Sequence, residues 1–139
     1  MNNYKKIFHY ISYFQFPFYL LGLYYAYEPI VFDIKEVMVS VNKSMLFMGL
    51  GIGFSTLQDT TRKQNKLSKL ILKKPRYSKI YIIYMIVLIV TFLSFGLFGL
   101  LISDNPKINE LSSGVIAMGI GVIGLLKTIM EIIENHNNK

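Results

Sequence analysis

The chain has 139 residues, of which 53% are hydrophobic and 17% are charged, and it carries a net charge of +7 and no cysteine. This balance is too apolar for a soluble enzyme or a disordered tail, and the lack of cysteine excludes a disulfide scaffold. What remains is a small polytopic membrane protein.

Four apolar segments define the predicted fold. They cover residues 8–27, 37–57, 80–102 and 111–130, and their 84 residues hold only two of the 23 charged residues, Lys43 and Lys127. Each is about as long as an α-helix that crosses a hydrocarbon core roughly 30 Å thick. We therefore predict an all-α integral membrane protein, a single domain over residues 1–139, whose four transmembrane helices form an antiparallel bundle.

Basic residues are divided unevenly along the chain, and this division predicts the orientation. Eleven Lys and Arg residues fall in segments 1–7, 58–79 and 131–139, against two in segments 28–36 and 103–110. Because cytoplasmic loops retain basic residues, we expect both termini and the loop 58–79 in the cytoplasm. The richness in Lys, Ile, Asn and Tyr is typical of a bacterium with an AT-rich genome, so we expect the inner membrane.

The first segment is rich in aromatic residues. Ten of its 20 residues are Phe or Tyr, and the Tyr residues near its two ends are typical of membrane interfaces. Pro17 near the middle predicts a kink. Gln15 beside it either lines a permeation path or bonds to a neighbouring helix. The dipeptide Glu28-Pro29 predicts the end of the helix.

The second segment begins with polar residues. Asp33 and Glu36 have the spacing of a capping box that starts the helix. Lys43 lies six residues inside the segment, next to Asn42. Its long stem either carries the ammonium back to the interface, or the side chain faces inward as a counter-ion or substrate contact.

Small residues recur in three of the four segments. Water does not drive helices together inside lipid, so small residues that allow close backbone approach permit tight packing. We expect these positions either to pack the helices of the bundle or to form a face for self-association. They are Gly49 and Gly53, which form a GxxxG motif, Gly96 and Gly99, and Ala117, Gly121 and Gly124.

The loop 58–79 carries eight basic residues and a single acid, Asp59. No glycine or proline follows the second segment directly, so that helix is predicted to continue into the loop. Gln58 and Asp59 are then either a structural anchor, with Arg62 in reach of the carboxylate, or part of a cation or proton route.

The rest of this loop has the pattern of an amphipathic surface helix. Leu67, Leu70 and Ile71 share one face, and lysines surround them. We expect the basic side chains to contact anionic lipid headgroups. These are Lys66, Lys69, Lys73, Lys74 and Arg76. Aromatic side chains are scarce in this loop, so we expect no nucleic-acid partner.

Asn105-Pro106 predicts the turn before the fourth segment. Asn109, Ser112 and Ser113 are each acceptable caps for the helix that follows, and the sequence does not choose among them.

The sequence contains no recognisable catalytic or metal-binding constellation. His9 and His136 lie at opposite ends of the chain, without the spacing of a zinc site. We therefore expect no cofactor and no enzyme activity, and interpret the chain as a subunit or accessory protein that forms homo-oligomers or joins other membrane subunits. The alternative is a small oligomeric transporter, channel or pore. Its polar pathway would use Gln15, Asn42, Lys43, Gln58, Asp59 and Arg62.

Overall fold

The computed structural model of the chain describes residues 3–32, 36–57 and 75–137, and these ranges are helical apart from short turns, the longest of them at residues 102–105. In chain order they form α1 (Asn3–Ile11), a 3₁₀ turn (Ser12–Phe14), α2 (Gln15–Val31), α3 (Val37–Ser55), α4 (Pro75–Leu101) and α5 (Pro106–Asn137). Three helical stretches are long and apolar enough to cross a membrane: Val37–Ser55, Arg76–Leu101 and Pro106–Glu134. The all-helical prediction is confirmed, and these three helices suit a small membrane protein.

The first predicted segment differs from the other three because it is divided. The helix α2 has 17 residues, and the 3₁₀ turn separates it from α1. Pro17 explains this interruption, since it has no N–H to donate to the carbonyl of Tyr13 four residues earlier. Before the turn, the Ser12 hydroxyl donates to the carbonyl of His9 at 2.7 Å. The segment 8–27 is therefore not among the three long apolar helices.

The prediction that Pro29 ends the first segment is wrong, because α2 continues through it to Val31. A proline in the last turn leaves only one carbonyl without its helical donor, and the Pro29 ring is buried. At the start of α3, Glu36 is the N-cap residue and makes no side-chain capping bond. Asp33, the other half of the expected capping box, lies outside the described residues.

The helix α3 ends earlier than the sequence predicts. Its last residue is Ser55, followed by a turn at residues 56 and 57. The hydroxyl of Ser55 donates to the carbonyl of Ile52, and that of Thr56 donates to the carbonyl of Gly53, both at 2.6 Å. The amide of Thr56 also donates to both carbonyls, so each of them accepts a second hydrogen bond from a side-chain hydroxyl at the end of the helix. The predicted continuation into the loop is therefore wrong as far as residue 57.

The helix α5 begins earlier than expected and has a different cap. Its first residue is Pro106, and the side-chain oxygen of Asn105 accepts a hydrogen bond from the amide of Lys107 at 3.1 Å. Proline suits the first helical position because its missing N–H has no partner there in any case. The expected caps Asn109, Ser112 and Ser113 lie inside this helix, so that prediction is wrong.

The four long helices lie in a row in the order α2, α3, α5, α4. Extensive contacts join α2 to α3, α3 to α5, and α5 to α4, and within the described ranges no other pair of these four helices has more than a marginal contact. A closed bundle would also bring α2 and α4 together. In the described part of the chain, α2 and α4, at the two ends of the row, thus each pack extensively against one long helix.

The contacts also give the helix directions. Glu28 lies opposite Ser40 and Gly22 opposite Ser44, so α2 and α3 are antiparallel. Gly96 and Gly99 lie opposite Ser112, and Gly119 opposite Leu93, so α4 and α5 are antiparallel too. The central pair differs: Asn42 contacts Gly114 and Thr56 contacts Gly124, so α3 and α5 run parallel, because α4 reverses the chain between them.

The polarity of the molecule is the reverse of that in a soluble protein. Among the described residues five hydrophobic side chains are buried, and six polar ones, five of them serines, are buried as well. Large apolar side chains cover the outside, for example Leu20 (68% exposed), Ile83 (61%) and Ile120 (60%). Such a surface is unfavourable in water but matches lipid.

Candidate functional site

Several of the predicted packing residues lie at the contact between α3 and α5, which we name the α3–α5 seam. A Cβ atom on Gly49 would lie 2.5 Å from the carbonyl carbon and oxygen of Ala117, and one on Gly121 would lie 2.5 Å from the carbonyl oxygen of Gly49. Real Cβ atoms do not approach backbone so closely. The two helix backbones are therefore in direct contact, and only glycine fits at these positions.

Hydrogen bonds join α3 and α5 at one end of the α3–α5 seam. The side-chain oxygen of Asn42 accepts from the Ser113 hydroxyl at 3.0 Å and from the Gly114 amide at 2.7 Å. At the other end the Thr128 hydroxyl donates to the carbonyl of Gly124 on its own helix at 3.1 Å and lies 3.5 Å from the carbonyl of Thr56. The bonds to Asn42 therefore hold α3 and α5 in one register.

The remaining small residues have different neighbours. Gly96 and Gly99 face Ile116 and Ser112 across the α4–α5 contact, and Gly124 faces Thr56. Gly53, the second glycine of the GxxxG motif, has nothing within 4 Å of the position where its Cβ would lie. One glycine of that motif thus packs against α5, and the other faces open space.

Of the predicted polar pathway, the structure describes Gln15, Asn42 and Lys43, and it does not bring these three together. Gln15 is buried in the first turn of α2, level with the end of α3, while Asn42 lies near the start of α3 and faces α5. Twelve residues of helix separate these levels, about 18 Å at 1.5 Å per residue. Lys43 faces α2 instead, so Asn42 and Lys43 point to different neighbours.

The predicted residues of the loop largely lie outside the described part of the chain. This applies to Gln58, Asp59, Arg62, Lys66, Lys69, Lys73 and Lys74 and to the predicted amphipathic helix. Arg76 is described and is exposed in the first turn of α4. Within the ranges that the structure describes, no group of three His, Asp or Glu residues is placed to hold a metal ion.

A feature that the sequence analysis missed lies along the contact between α2 and α3. Aromatic rings from the two helices alternate in one column, which we name the aromatic column. Successive ring centroids are 5.5, 6.1, 5.2 and 6.1 Å apart, and in the first and third pairs the rings are stacked with an angle of 5° between their planes. In order, its members are Tyr25, Phe47, Phe18, Phe54 and Phe14.

Lys43 caps this column at the end near the α2–α3 turn. Its Nζ atom lies 5.2 Å from the centroid of the Tyr25 ring, within the range of a cation–π contact. The side chain of Lys43 is exposed, and no carboxylate of the described residues is within ion-pair distance of it. The nearby carboxylate of Glu28 accepts a hydrogen bond from the Ser40 hydroxyl at 2.9 Å.

The positions of these residues in the sequence are the signal from which the aromatic column could be predicted. Phe14, Phe18 and Tyr25 are at positions i, i+4 and i+11, and so are Lys43, Phe47 and Phe54. At 100° per residue these positions fall within about 40° of one another on a helix. Two equal stripes on neighbouring antiparallel helices can interleave, and here they do.

The Lys43 ammonium and the rings of the aromatic column can bind a ligand. They are not groups that form or break covalent bonds. No protein-family model matches the chain, and no curated protein and no solved structure matches it either. Function is therefore inferred from the geometry of this chain alone.

Proposed function

We propose that the chain is a non-enzymatic membrane protein with four transmembrane helices, in which the 3–31 segment forms the first. The supporting observation is that α2 lies alongside α3 over most of the length of both helices. Contacts between them run from Glu28 and Ser40 at one end to the rings of Phe14 and Phe54 at the other. A helix that lies alongside a membrane-crossing helix over this whole length crosses the same hydrocarbon layer.

The proposed orientation places both termini in the cytoplasm, in the inner membrane of a bacterium. Lys5 and Lys6 are exposed before the start of α2, and Arg76 and Lys79 are exposed at the start of α4. In a four-span arrangement these residues lie on one side of the membrane. Positive charge is retained on the cytoplasmic side, which supports this orientation.

In this proposal the protein acts as a subunit that associates with a second copy of itself or with other membrane proteins. The observation that carries it is the open row of helices. The end helices α2 and α4 each pack against one neighbour and leave apolar surface uncovered. Gly53 adds a position on α3 where another helix can approach the backbone closely.

The topology is tested with single-cysteine variants, since the chain has no cysteine of its own. A membrane-impermeant maleimide should label Lys107→Cys in intact cells, and Asn3→Cys and Arg76→Cys only after permeabilisation. Labelling of Asn3→Cys from outside, with the other two unchanged, would mean that α1 and α2 do not cross and that three spans remain.

Association is tested by the mass of the purified protein in mild detergent, measured by light scattering. We expect more than one chain per particle. Gly53→Leu should keep the helical content but lower the oligomer fraction, because the position is open within one chain and blocked only by a close partner. Lys107→Leu, an exposed position at the start of α5, serves as a control that adds a leucine outside the apolar surface of α2 and α4. A strictly monomeric protein with no co-purifying membrane protein would contradict the proposal, and solute flux in reconstituted vesicles would favour the transporter alternative.

A further inference from the structure

The Lys43 end of the aromatic column combines a positive charge with a long apolar surface. The ammonium of Lys43 contacts the Tyr25 ring through the ring face, which accepts no conventional hydrogen bond. Its three N–H donors are therefore available to a ligand. Because Lys43 is exposed, this ligand can approach from outside the helix pair.

The level of Lys43 suits the headgroup region of a membrane. Ser40 and the Glu28 carboxylate it binds lie one turn closer to the start of α3, and charged groups of membrane proteins favour the polar boundary of the membrane. Lys43 lies three residues deeper, about 4.5 Å along the helix. The phosphate of a phospholipid would meet Lys43 at this level, since lysine readily pairs with phosphate as a point charge.

The length of the aromatic column suits an acyl chain. From Lys43 to Phe54 the helix rises about 16 Å at 1.5 Å per residue, close to the roughly 15 Å that one leaflet contributes to the hydrocarbon core. Phe47, Phe18 and Phe54 are half-buried, so the column keeps part of each ring at the surface along this distance. A chain that descends from a phosphate on Lys43 would lie along these rings.

We propose that Lys43 and the aromatic column form a binding site for one anionic phospholipid. The phosphate accepts hydrogen bonds from the Lys43 ammonium, and one acyl chain lies along Phe47, Phe18 and Phe54. The site belongs to the leaflet next to the α2–α3 turn, whichever way the chain is oriented. It goes beyond the proposed subunit role and does not depend on it, because it is complete within one chain.

The test is native mass spectrometry of the full chain. The protein is mixed in detergent with phosphatidylglycerol or with phosphatidylcholine, and the lipid that stays bound after release from the detergent is measured. We expect one phosphatidylglycerol per chain to be retained more strongly than phosphatidylcholine. Lys43→Met should weaken phosphatidylglycerol binding about fivefold, the effect of one lysine near a phosphate surface. Lys43→Arg should keep the binding. Lys107→Met, an exposed lysine at the start of α5, is the matched control and should bind as the wild type does.

Two further arms separate the parts of the site. Phe47→Leu should weaken binding of a long-chain phosphatidylglycerol more than that of an eight-carbon one, because it shortens the contact with the acyl chain. Displacement of the lipid by an equal concentration of inorganic phosphate would overturn the assignment of a lipid. Equal binding by the wild type and Lys43→Met, or an equal loss in Lys107→Met, would overturn the site itself. Far-ultraviolet circular dichroism of each variant verifies that the helices are intact, and Lys43→Gln replaces Lys43→Met if the latter does not fold.

Discussion

The sharpest prediction concerns the two glycines of the GxxxG motif, which have the same sequence context but different surroundings. Replacing Gly49 by alanine puts a methyl group 2.5 Å from the carbonyl of Ala117, whereas an ordinary van der Waals contact is 3.4–4 Å. The obstacle is backbone, so no side chain can rotate away. Replacing Gly53 by alanine meets nothing within 4 Å. Gly49→Ala should therefore destabilise the fold, and Gly53→Ala should not.

The size of the loss in stability follows from the difference between the 2.5 Å distance and an ordinary van der Waals contact. To accept a methyl group at Gly49, α3 and α5 must separate by about 1 Å, which forfeits a quarter to a half of each van der Waals contact along the seam. Overpacking of this kind costs about 1–3 kcal/mol. Alanine also favours a helix over glycine by up to about 1 kcal/mol, and both variants share this gain. We therefore expect the free energies of unfolding of the two variants to differ by about 1–3 kcal/mol, with Gly53→Ala the more stable.

The assay is reversible unfolding in mixed micelles, followed by far-ultraviolet circular dichroism as the fraction of sodium dodecyl sulfate is raised. Comparing the two alanine variants cancels the helix propensity and leaves the packing effect. If Gly49→Ala is as stable as Gly53→Ala, the α3–α5 seam is not a direct backbone contact and the reasoning fails.

The same unfolding assay checks three further predictions. Gly99→Ala should destabilise the α4–α5 contact, because its methyl group would meet the Ser112 hydroxyl. Adding Ser112→Ala should recover part of the loss, with a coupling energy of about 1 kcal/mol between the two substitutions. Additive effects of the two substitutions would contradict this contact. Asn42→Ala removes two hydrogen bonds to α5 and should cost about 1 kcal/mol, so an unchanged unfolding midpoint would show that they do not hold the register. Lys127→Ala breaks a 3.4 Å ion pair with Glu131 in which both side chains are exposed, and it should change stability by less than about 0.5 kcal/mol. A larger loss would contradict the small contribution expected of an exposed pair.

The position of the Lys43 side chain in the candidate site could not be predicted from the sequence. The sequence leaves two alternatives for Lys43, a side chain that reaches the interface or one that faces inward, and the structure places its ammonium over a ring of the neighbouring helix. Tyr25 looked like part of an interfacial belt because tyrosine favours that region in any helix. Its role beside Lys43 depends on α2 and α3 being rotated so that their aromatic stripes face the same way.

Local properties of the chain were enough to determine its class. Length, hydropathy and helix-compatible composition add up residue by residue, so the sequence predicts the all-helical fold and three of its four proposed spans are helices long and apolar enough to cross a membrane. Helix ends were less predictable: α5 is capped by Asn105 and not by the three residues considered, because a cap depends on where one backbone turn begins.

Tertiary structure alone decided which neighbour each helix meets. Nothing in the sequence separates Gly49 from Gly53, or indicates that the helices form a row with α3 and α5 parallel at its centre. These features depend on the rotation of each helix about its axis and on the order of the helices in space. Both are set by the sum of many small packing contacts between residues far apart in the chain.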